Sequence, residues 1–219
     1  MKTKIIISVI LIILVGTVIY FVIQNERQGD ERELEKDRYE YLSTSKSSKL
    51  EGIEIESIIE YEDYYVLGVH FPITKNEKIN IVIKEFINEE IDKFKTDAKE
   101  FFEGSPPPGG FSSWKYELNI DYIVNRPSEK IVGFKFNIYL FTGGGGIQFI
   151  KTYNFNFETG EEITFNNVFK KDSDYLNVLS ELSAKQLIES GRIGDLVSEW
   201  MLELGTAPEE KNFERFGLK

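Results

Sequence analysis

Four consecutive glycines, Gly143–Gly146, are the first feature of this sequence that could do chemistry. A glycine-rich loop binds phosphate when it opens a helix, because its backbone N–H groups then point at the anion. The P-loop adds a lysine followed by serine or threonine. Here the glycines are followed by Ile147, Gln148 and Phe149, which are typical of a strand. The pattern therefore predicts a hairpin turn in which glycine supplies positive φ, and argues against a phosphate site.

His70 is the sole histidine of the chain, so a Ser-His-Asp triad would have to use it. It lies in the strand-like run YYVLGVHFPI, shortly before Pro72. No second histidine and no HExxH motif accompany it, so a histidine-based metal site lacks its usual partners. A structural role for His70 is the favoured interpretation.

Acidic pairs are the remaining candidates for catalysis. The pairs Glu89–Glu90 and Glu161–Glu162 could in principle serve a glycosidase, which uses two carboxyl groups. They fall on a predicted helix surface and a predicted turn, where solvated charge is the ordinary state. Asp172 and Asp174 lack the further oxygen ligands of a calcium loop and are interpreted as residues at a helix start. The sequence thus predicts a non-enzymatic protein with no cofactor and no metal site.

The elements that must position these residues follow an α+β order. Two strand-like runs occupy residues 50–73, and a helix is predicted over 77–102, where apolar residues recur every three or four positions. Three strands with period-two alternation follow between residues 116 and 157. Helices are then predicted from Asp172 or Ser173 to about Ser190, and over 193–204. Short connections between the later strands predict antiparallel neighbours, so we expect an antiparallel sheet packed with helices.

The third of those strands is rich in aromatic residues, which allows two interpretations. As part of the core, the aromatic face needs no further explanation. As a platform for glycan strands it would have to be exposed, which the alternation argues against. We therefore expect this face to pack into the core. Its members are Phe149, Tyr153, Phe155 and Phe157.

The N-terminus carries a long apolar run, Ile5–Ile23, of nineteen uncharged residues. At ~1.5 Å per residue it extends about 28 Å, close to the thickness of a bilayer core. A cleaved signal peptide would have an apolar core of roughly 7–15 residues and a small-residue cleavage site. We predict that residues 5–23 form one transmembrane helix. This helix lies within an N-terminal membrane anchor, residues 1–25, which is followed by a stalk or linker at 26–49.

Composition excludes several classes of protein. The formal net charge is −11, and Lys2 and Lys4 precede the apolar run, so the remainder is more acidic still. Nucleic-acid binding needs a basic face and is not expected. The absence of cysteine excludes disulfides, thiolate metal sites and cysteine nucleophiles. An acidic surface suits a cationic partner, although it also simply keeps a domain soluble.

The stretch FTGGGGIQFIKTYNFNFETGEEITFNNVF, continuing through KKDSDYLNVLSELSAKQLI, resembles the extracellular domain of RsiV-type envelope proteins, which also accompanies some peptidoglycan deacetylases. Upstream, VHFPIT and INIVIKEFINEEI resemble the small module that often precedes that domain. The resemblance implies a small α+β module at 50–110 and an RsiV-like α+β domain at 111–219. The final residues, PEEKNFERFGLK, resemble the approach to the family's last strand, which predicts an incomplete C-terminus.

The resemblance implies an extracytoplasmic, non-catalytic domain on a single-pass membrane protein, which binds or senses lysozyme, another cationic protein or a cell-wall component. The alternative is the non-catalytic accessory region of a peptidoglycan deacetylase whose catalytic domain is absent here, and a third possibility is a purely structural tethered domain. Binding usually sits on loops held by a rigid sheet. The expected binding residues are therefore those of two loops: Pro106, Pro107 and Phe111, and Gly143, Gly144, Gly145 and Gly146.

Overall fold

A computed structural model of the chain describes residues 39–47, 50–104, 115–170, 172–191 and 199–217. The chain divides into two compact units, residues 1–44 and 45–219. The described part of the first unit contains one 3-10 turn, Glu40–Ser43. The predicted anchor and most of the predicted stalk lie outside the described residues. Within the described ranges, no helix combines the length and the apolar character needed to cross a bilayer.

The second unit is built on five strands and a long helix. A strand pair comes first, then the helix, then three further strands. Shorter helices and a 3-10 turn complete the chain. In order, the elements are β1 (Ile53–Tyr61), β2 (Tyr65–Thr74), α1 (Glu77–Gly104), β3 (Tyr116–Ser128), β4 (Ile131–Phe141), β5 (Gly146–Asn156), α2 (Phe165–Val168), α3 (Tyr175–Glu189), α4 (Glu199–Thr206) and the 3-10 turn Glu210–Asn212.

The five strands form one mixed sheet in the order β1-β2-β3-β4-β5. Three neighbouring pairs are antiparallel, as predicted. β2 and β3 are parallel, with Tyr65–Val69 alongside Tyr116–Ile120, so the prediction of a wholly antiparallel sheet is wrong at this pair. The reason is the connection: α1 lies between the two strands, and a helical crossover returns the chain to the end from which it started.

The predicted division between modules at residue 110 falls among residues 105–114, outside the described part of the chain. β1 and β2 come before it and β3–β5 come after it, yet all five strands belong to one sheet. Residues 45–219 form one compact unit. The sheet therefore continues across the predicted division.

The core lies between α1 and one face of the sheet. Phe86 of α1 contacts Phe136 of β4 and Tyr153 of β5, with ring centroids 5.2 and 5.5 Å apart. The predicted alternation holds in β3 and β4, and the aromatic face of β5 packs into this core as expected. The apolar stripe predicted for α1 is also buried, and it ends with Phe102, whereas the neighbouring Phe101 is exposed. The fully buried core side chains are Leu67, Val69, Ile79, Ile83, Ile87, Ala98, Ile120, Tyr122, Val132, Phe136 and Phe155.

The N-terminus of α1 is fixed by Asn76, which links it to the end of β5. Asn76 Oδ1 accepts a hydrogen bond from the Lys78 backbone N–H at 3.1 Å, as a helix cap does. Its Nδ2 donates to the carbonyls of Phe157 and Glu158. Gly160 approaches the same side chain with φ +71°, and a Cβ there would lie 2.9 Å from Asn76 Cγ. A single asparagine thus joins the helix start to the turn after β5.

The C-terminal helices are packed less tightly than the sheet. α3 begins after Asp174, whose side chain makes no capping hydrogen bond to the helix backbone, so the predicted cap at Asp172 or Ser173 is wrong. Asp172 instead has a left-handed φ of 64°. No residue of α3 is buried, and Val178 and Leu182 are exposed. The shorter predicted helix, 193–204, corresponds to α4, which begins at Glu199 after residues outside the described ranges.

Candidate functional site

His70 lies inside the sheet, opposite Ser57 in the β1–β2 ladder. Its side chain is 1% exposed, and Nδ1 lies 2.7 Å from Ser57 Oγ. A serine–histidine hydrogen bond resembles part of a hydrolase site, but here it joins two paired strands. The contact agrees with the structural interpretation of His70. Sequence reasoning did not single out Ser57, because the partner depends on the strand register.

Asp121 anchors the segment that leads into the domain. Its Oδ1 accepts hydrogen bonds from Ser45 Oγ at 3.2 Å, the Lys46 backbone N–H at 2.9 Å and Ser47 Oγ at 3.0 Å. Ser47 Oγ also accepts a bond from the Tyr122 backbone N–H. These contacts join the last residues of the predicted stalk to β3. The sequence had predicted a stalk or linker over residues 26–49, and these contacts depend on side chains distant in sequence.

The two acidic pairs lie on different elements of the fold. Glu161 and Glu162 are exposed after the turn that follows β5, and the backbone of Glu162 bridges to Phe155. Glu89 is exposed on α1, whereas Glu90 is half-buried beside the sheet. In the part of the chain that the structure describes, no three acidic or histidine side chains converge as a metal site would require.

The glycine run forms the turn between β4 and β5, as predicted, with Phe141 paired to Gly146. Gly143 has φ +86°, which favours glycine. Gly144 and Gly145 have open space around them, whereas the ring of Tyr139 lies over Gly146. Of the predicted binding residues, the four glycines therefore lie together in this turn. Pro106, Pro107 and Phe111 lie outside the described residues.

The four glycines should respond differently to valine. Gly143→Val should lower the free energy of unfolding by roughly 1–2 kcal/mol through its positive φ, whereas Gly146→Val should cost less than about 1 kcal/mol, because the far end of the Tyr139 ring can move aside. Gly144→Val and Gly145→Val serve as matched controls and should change it by less than about 0.5 kcal/mol. Thermal melts with and without ATP test this pattern. A nucleotide site would instead give stable variants that lose an ATP-induced rise in melting temperature.

A small groove lies between α1 and the sheet, and Thr142, directly before the glycine turn, is part of its lining. Its volume is about 130 Å³, below the ~300 Å³ of a typical small-molecule pocket and closer to the size of one side chain. Its floor is apolar and its rim carries Glu90, Lys93 and Asp97. Burial raises the pKa of Glu90. The lining residues are Glu90, Lys93, Phe94 and Asp97 of α1, and Tyr116, Leu118, Leu140, Thr142 and Phe149 of the sheet.

β5 continues from the glycine turn along the outer edge of the sheet. Ile147 is 60% exposed and Ile150 is 37% exposed on this strand. We call residues 142–152, which comprise the turn and the first part of β5, the hairpin edge. The domain is thus an α+β unit whose mixed sheet offers a glycine turn, a side-chain-sized groove and an open strand edge in one region.

No family model matches the chain. It is similar to peptidoglycan-N-acetylmuramic acid deacetylase PdaC of Bacillus subtilis, with 29% identity over 173 residues, which make up 78% of this chain and 35% of that protein. The chain therefore spans about a third of the length of this curated relative. The similarity supports the coarser part of the expected resemblance, a domain related to part of a cell-wall deacetylase.

Two solved structures are also similar to the chain. One is a DUF3298 family protein from Pseudomonas aeruginosa PAO1, with 14% identity and a TM-score of 0.44, over 68% of this chain and 70% of that one. The other is a member of the DUF3298 family from Bacteroides fragilis, with 17% identity and a TM-score of 0.41, over 69% and 72% of the two chains.

Proposed function

We propose that this chain is a non-catalytic, extracytoplasmic binding module of the cell envelope, anchored through residues 5–23. The observation that carries the proposal is the similarity of 78% of the chain to about a third of a peptidoglycan deacetylase. A segment that covers only part of such an enzyme is well suited to an accessory role. The hairpin edge supplies a contact surface, because loops and strand edges held by a rigid sheet are common places for binding.

The partner we propose is a cationic protein of the envelope environment, with lysozyme as the specific candidate. The net charge of −11 would speed encounter with a basic protein. The groove offers a matching contact for one lysine or arginine side chain. Its apolar floor, which includes Leu118 and Phe149, suits the aliphatic stem, and Glu90 and Asp97 suit the charged end. Lys93 also lines the groove and would repel the incoming cation. The charged end of the partner's side chain is therefore expected on the side of Glu90 and Asp97.

Titration calorimetry of the whole chain with lysozyme, at about 50 and about 300 mM salt, tests this partner, since screening acts over ~8 Å at physiological ionic strength. Specific binding should weaken at the higher salt and persist. Glu90→Gln should lower the affinity roughly tenfold, whereas Glu89→Gln, which removes the same charge from an exposed neighbour, should lower it by less than about twofold.

Three other outcomes have distinct meanings. No heat at either salt, from protein whose melting curve shows it to be folded, would remove lysozyme as the partner. Heat that disappears at the higher salt would reduce the interaction to charge attraction. Equal losses for the two glutamine variants would exclude the groove as the contact.

The second candidate is an accessory region that binds peptidoglycan itself for a deacetylase. The same partial similarity to PdaC favours it, because that protein's name specifies N-acetylmuramic acid of peptidoglycan. Co-sedimentation of the chain with purified peptidoglycan distinguishes the two. Retention on peptidoglycan without lysozyme binding would favour this alternative.

A further inference from the structure

The backbone of β5 presents alternate residues to the open side of the sheet, and the neighbouring hydrogen bonds show which ones. The backbone carbonyl of Asn154 accepts a hydrogen bond from the Ile163 N–H at 2.7 Å, and the Asn156 N–H donates to the backbone carbonyl of Glu161 at 2.8 Å. Both bonds lie on the side of β5 away from β4. The pairing of β5 with β4 is regular from Gly146 to Asn156. Because strand backbone groups alternate in direction, the even-numbered residues face outward along the whole strand.

Four residues of β5 therefore direct their N–H and C=O groups outward before Asn154. They are Gly146, Gln148, Ile150 and Thr152. Among the residues that the structure describes, no strand pairs with this part of the edge, since the segment around Glu162 bridges only to Phe155. An open edge of this kind is a template for another strand. Exposed Ile147 and Ile150 beside it add apolar surface that such a strand would cover.

We propose that this edge pairs with the same edge of a second copy of the chain, antiparallel about a two-fold axis at Phe149. Two five-stranded sheets would then join into one continuous sheet. This register sets Gln148 opposite Ile150 of the second copy, and Gly146 opposite Thr152 of the second copy. It engages all four outward-facing residues of both copies, whereas an axis at Gln148 or Ile150 leaves at least one of them unused.

The side chains of the edge are compatible with self-pairing. Lys151 is the sole charged residue of β5, and it would lie opposite Ile147 of the second copy, so no like charges face each other. Its aliphatic stem can cover that isoleucine. The chain as a whole is acidic, so added salt should strengthen this association by screening repulsion between copies. This salt response is opposite to that expected for a cationic partner, and the pairing does not depend on the proposed function.

Sedimentation velocity of the whole chain in detergent micelles, over a range of protein and salt concentrations, measures the dimer. Gln148→Pro removes an outward N–H and leaves the pairing with β4 intact, since proline is accepted where the N–H faces solvent. It should raise the dimer dissociation constant at least roughly tenfold, whereas Gln148→Ala, which keeps the N–H, should change it by less than about twofold. The melting temperature of each variant reports whether the fold is retained.

A charge pair tests the register independently of proline. Ile147→Lys would set two lysines opposite each other and should weaken the dimer, and adding Lys151→Glu should restore it by creating an opposite-charge pair. Rescue by the second substitution supports the axis at Phe149. A chain that stays monomeric at every concentration overturns the proposal. A dimer that neither Gln148→Pro nor Ile147→Lys weakens also overturns it, because its interface must then lie elsewhere. If Gln148→Pro unfolds the chain, the charge pair decides alone.

Discussion

Phe136→Ala is expected to lower the free energy of unfolding by about 3–5 kcal/mol, because it removes a large side chain from a site that cannot refill. Phe136 is fully buried on β4, between β3 and β5. Its ring contacts Phe86 of α1, Tyr122 of β3 and Tyr153 of β5, at centroid distances of 5.2, 6.0 and 6.2 Å. The substitution therefore opens a cavity bounded by a helix and two neighbouring strands.

Chemical denaturation followed by tryptophan and tyrosine fluorescence measures this loss. Lys135→Ala is the matched control, since it lies one residue away on an exposed position and should cost less than about 0.5 kcal/mol. The same curves test whether the two predicted modules, 50–110 and 111–219, unfold separately, because Phe86 lies in the first and Phe136 in the second. A single transition that shifts as a whole is expected for one core, and two separate transitions would contradict it.

Gly160→Ala is expected to destabilise the protein by about 2–3 kcal/mol, which combines a left-handed backbone penalty of roughly 1–2 kcal/mol with the loss of a helix cap of roughly 1 kcal/mol. The added Cβ would lie 2.9 Å from Asn76 Cγ and 2.8 Å from Lys78 Cβ. Asn76 would have to move, and both the cap of α1 and its bonds to the turn after β5 would weaken.

Gly52→Ala separates the two contributions, because Gly52, directly before β1, has a similar φ of 82° and nothing within 4 Å of an added Cβ. It should show the backbone penalty alone. Combining Gly160→Ala with Asn76→Ala should cost less than the two separate losses together, since the collision disappears once the asparagine is gone. Equal effects at Gly160 and Gly52 would show that the approach to Asn76 contributes nothing.

Elements with strong hydrophobic periodicity could be predicted from the sequence. The apolar stripe predicted α1 almost to its ends, and period-two alternation predicted the buried faces of β3 and β4. The parallel pairing of β2 with β3 could not be predicted in this way, because alternation specifies which face of a strand is buried and not the direction of its neighbour. A connection through a whole helix leaves that direction open until the crossover itself is considered.

The candidate site could be predicted from the sequence only in part. Successive glycines between two strands predicted the turn at Gly143–Gly146. Ser57 and His70 meet through strand register, and Asp121 holds Ser45 and Ser47 across more than seventy positions of sequence. No local pattern encodes such contacts. The open edge of β5 is likewise a property of sheet order, because every strand resembles an edge strand until its neighbours are known.

α3 differs from every strand of the sheet in having no buried residue, although it packs with α4. A helix of fifteen residues is close to the shortest length that is stable alone in water, so contacts at its ends decide whether it persists. Its start is held by Tyr175, whose ring stacks on Phe169 at a centroid distance of 4.5 Å. Two tiers of local stability are therefore expected. Amide hydrogens of α3 should exchange through opening of the helix alone, whereas those of β2 should exchange only when the whole sheet comes apart.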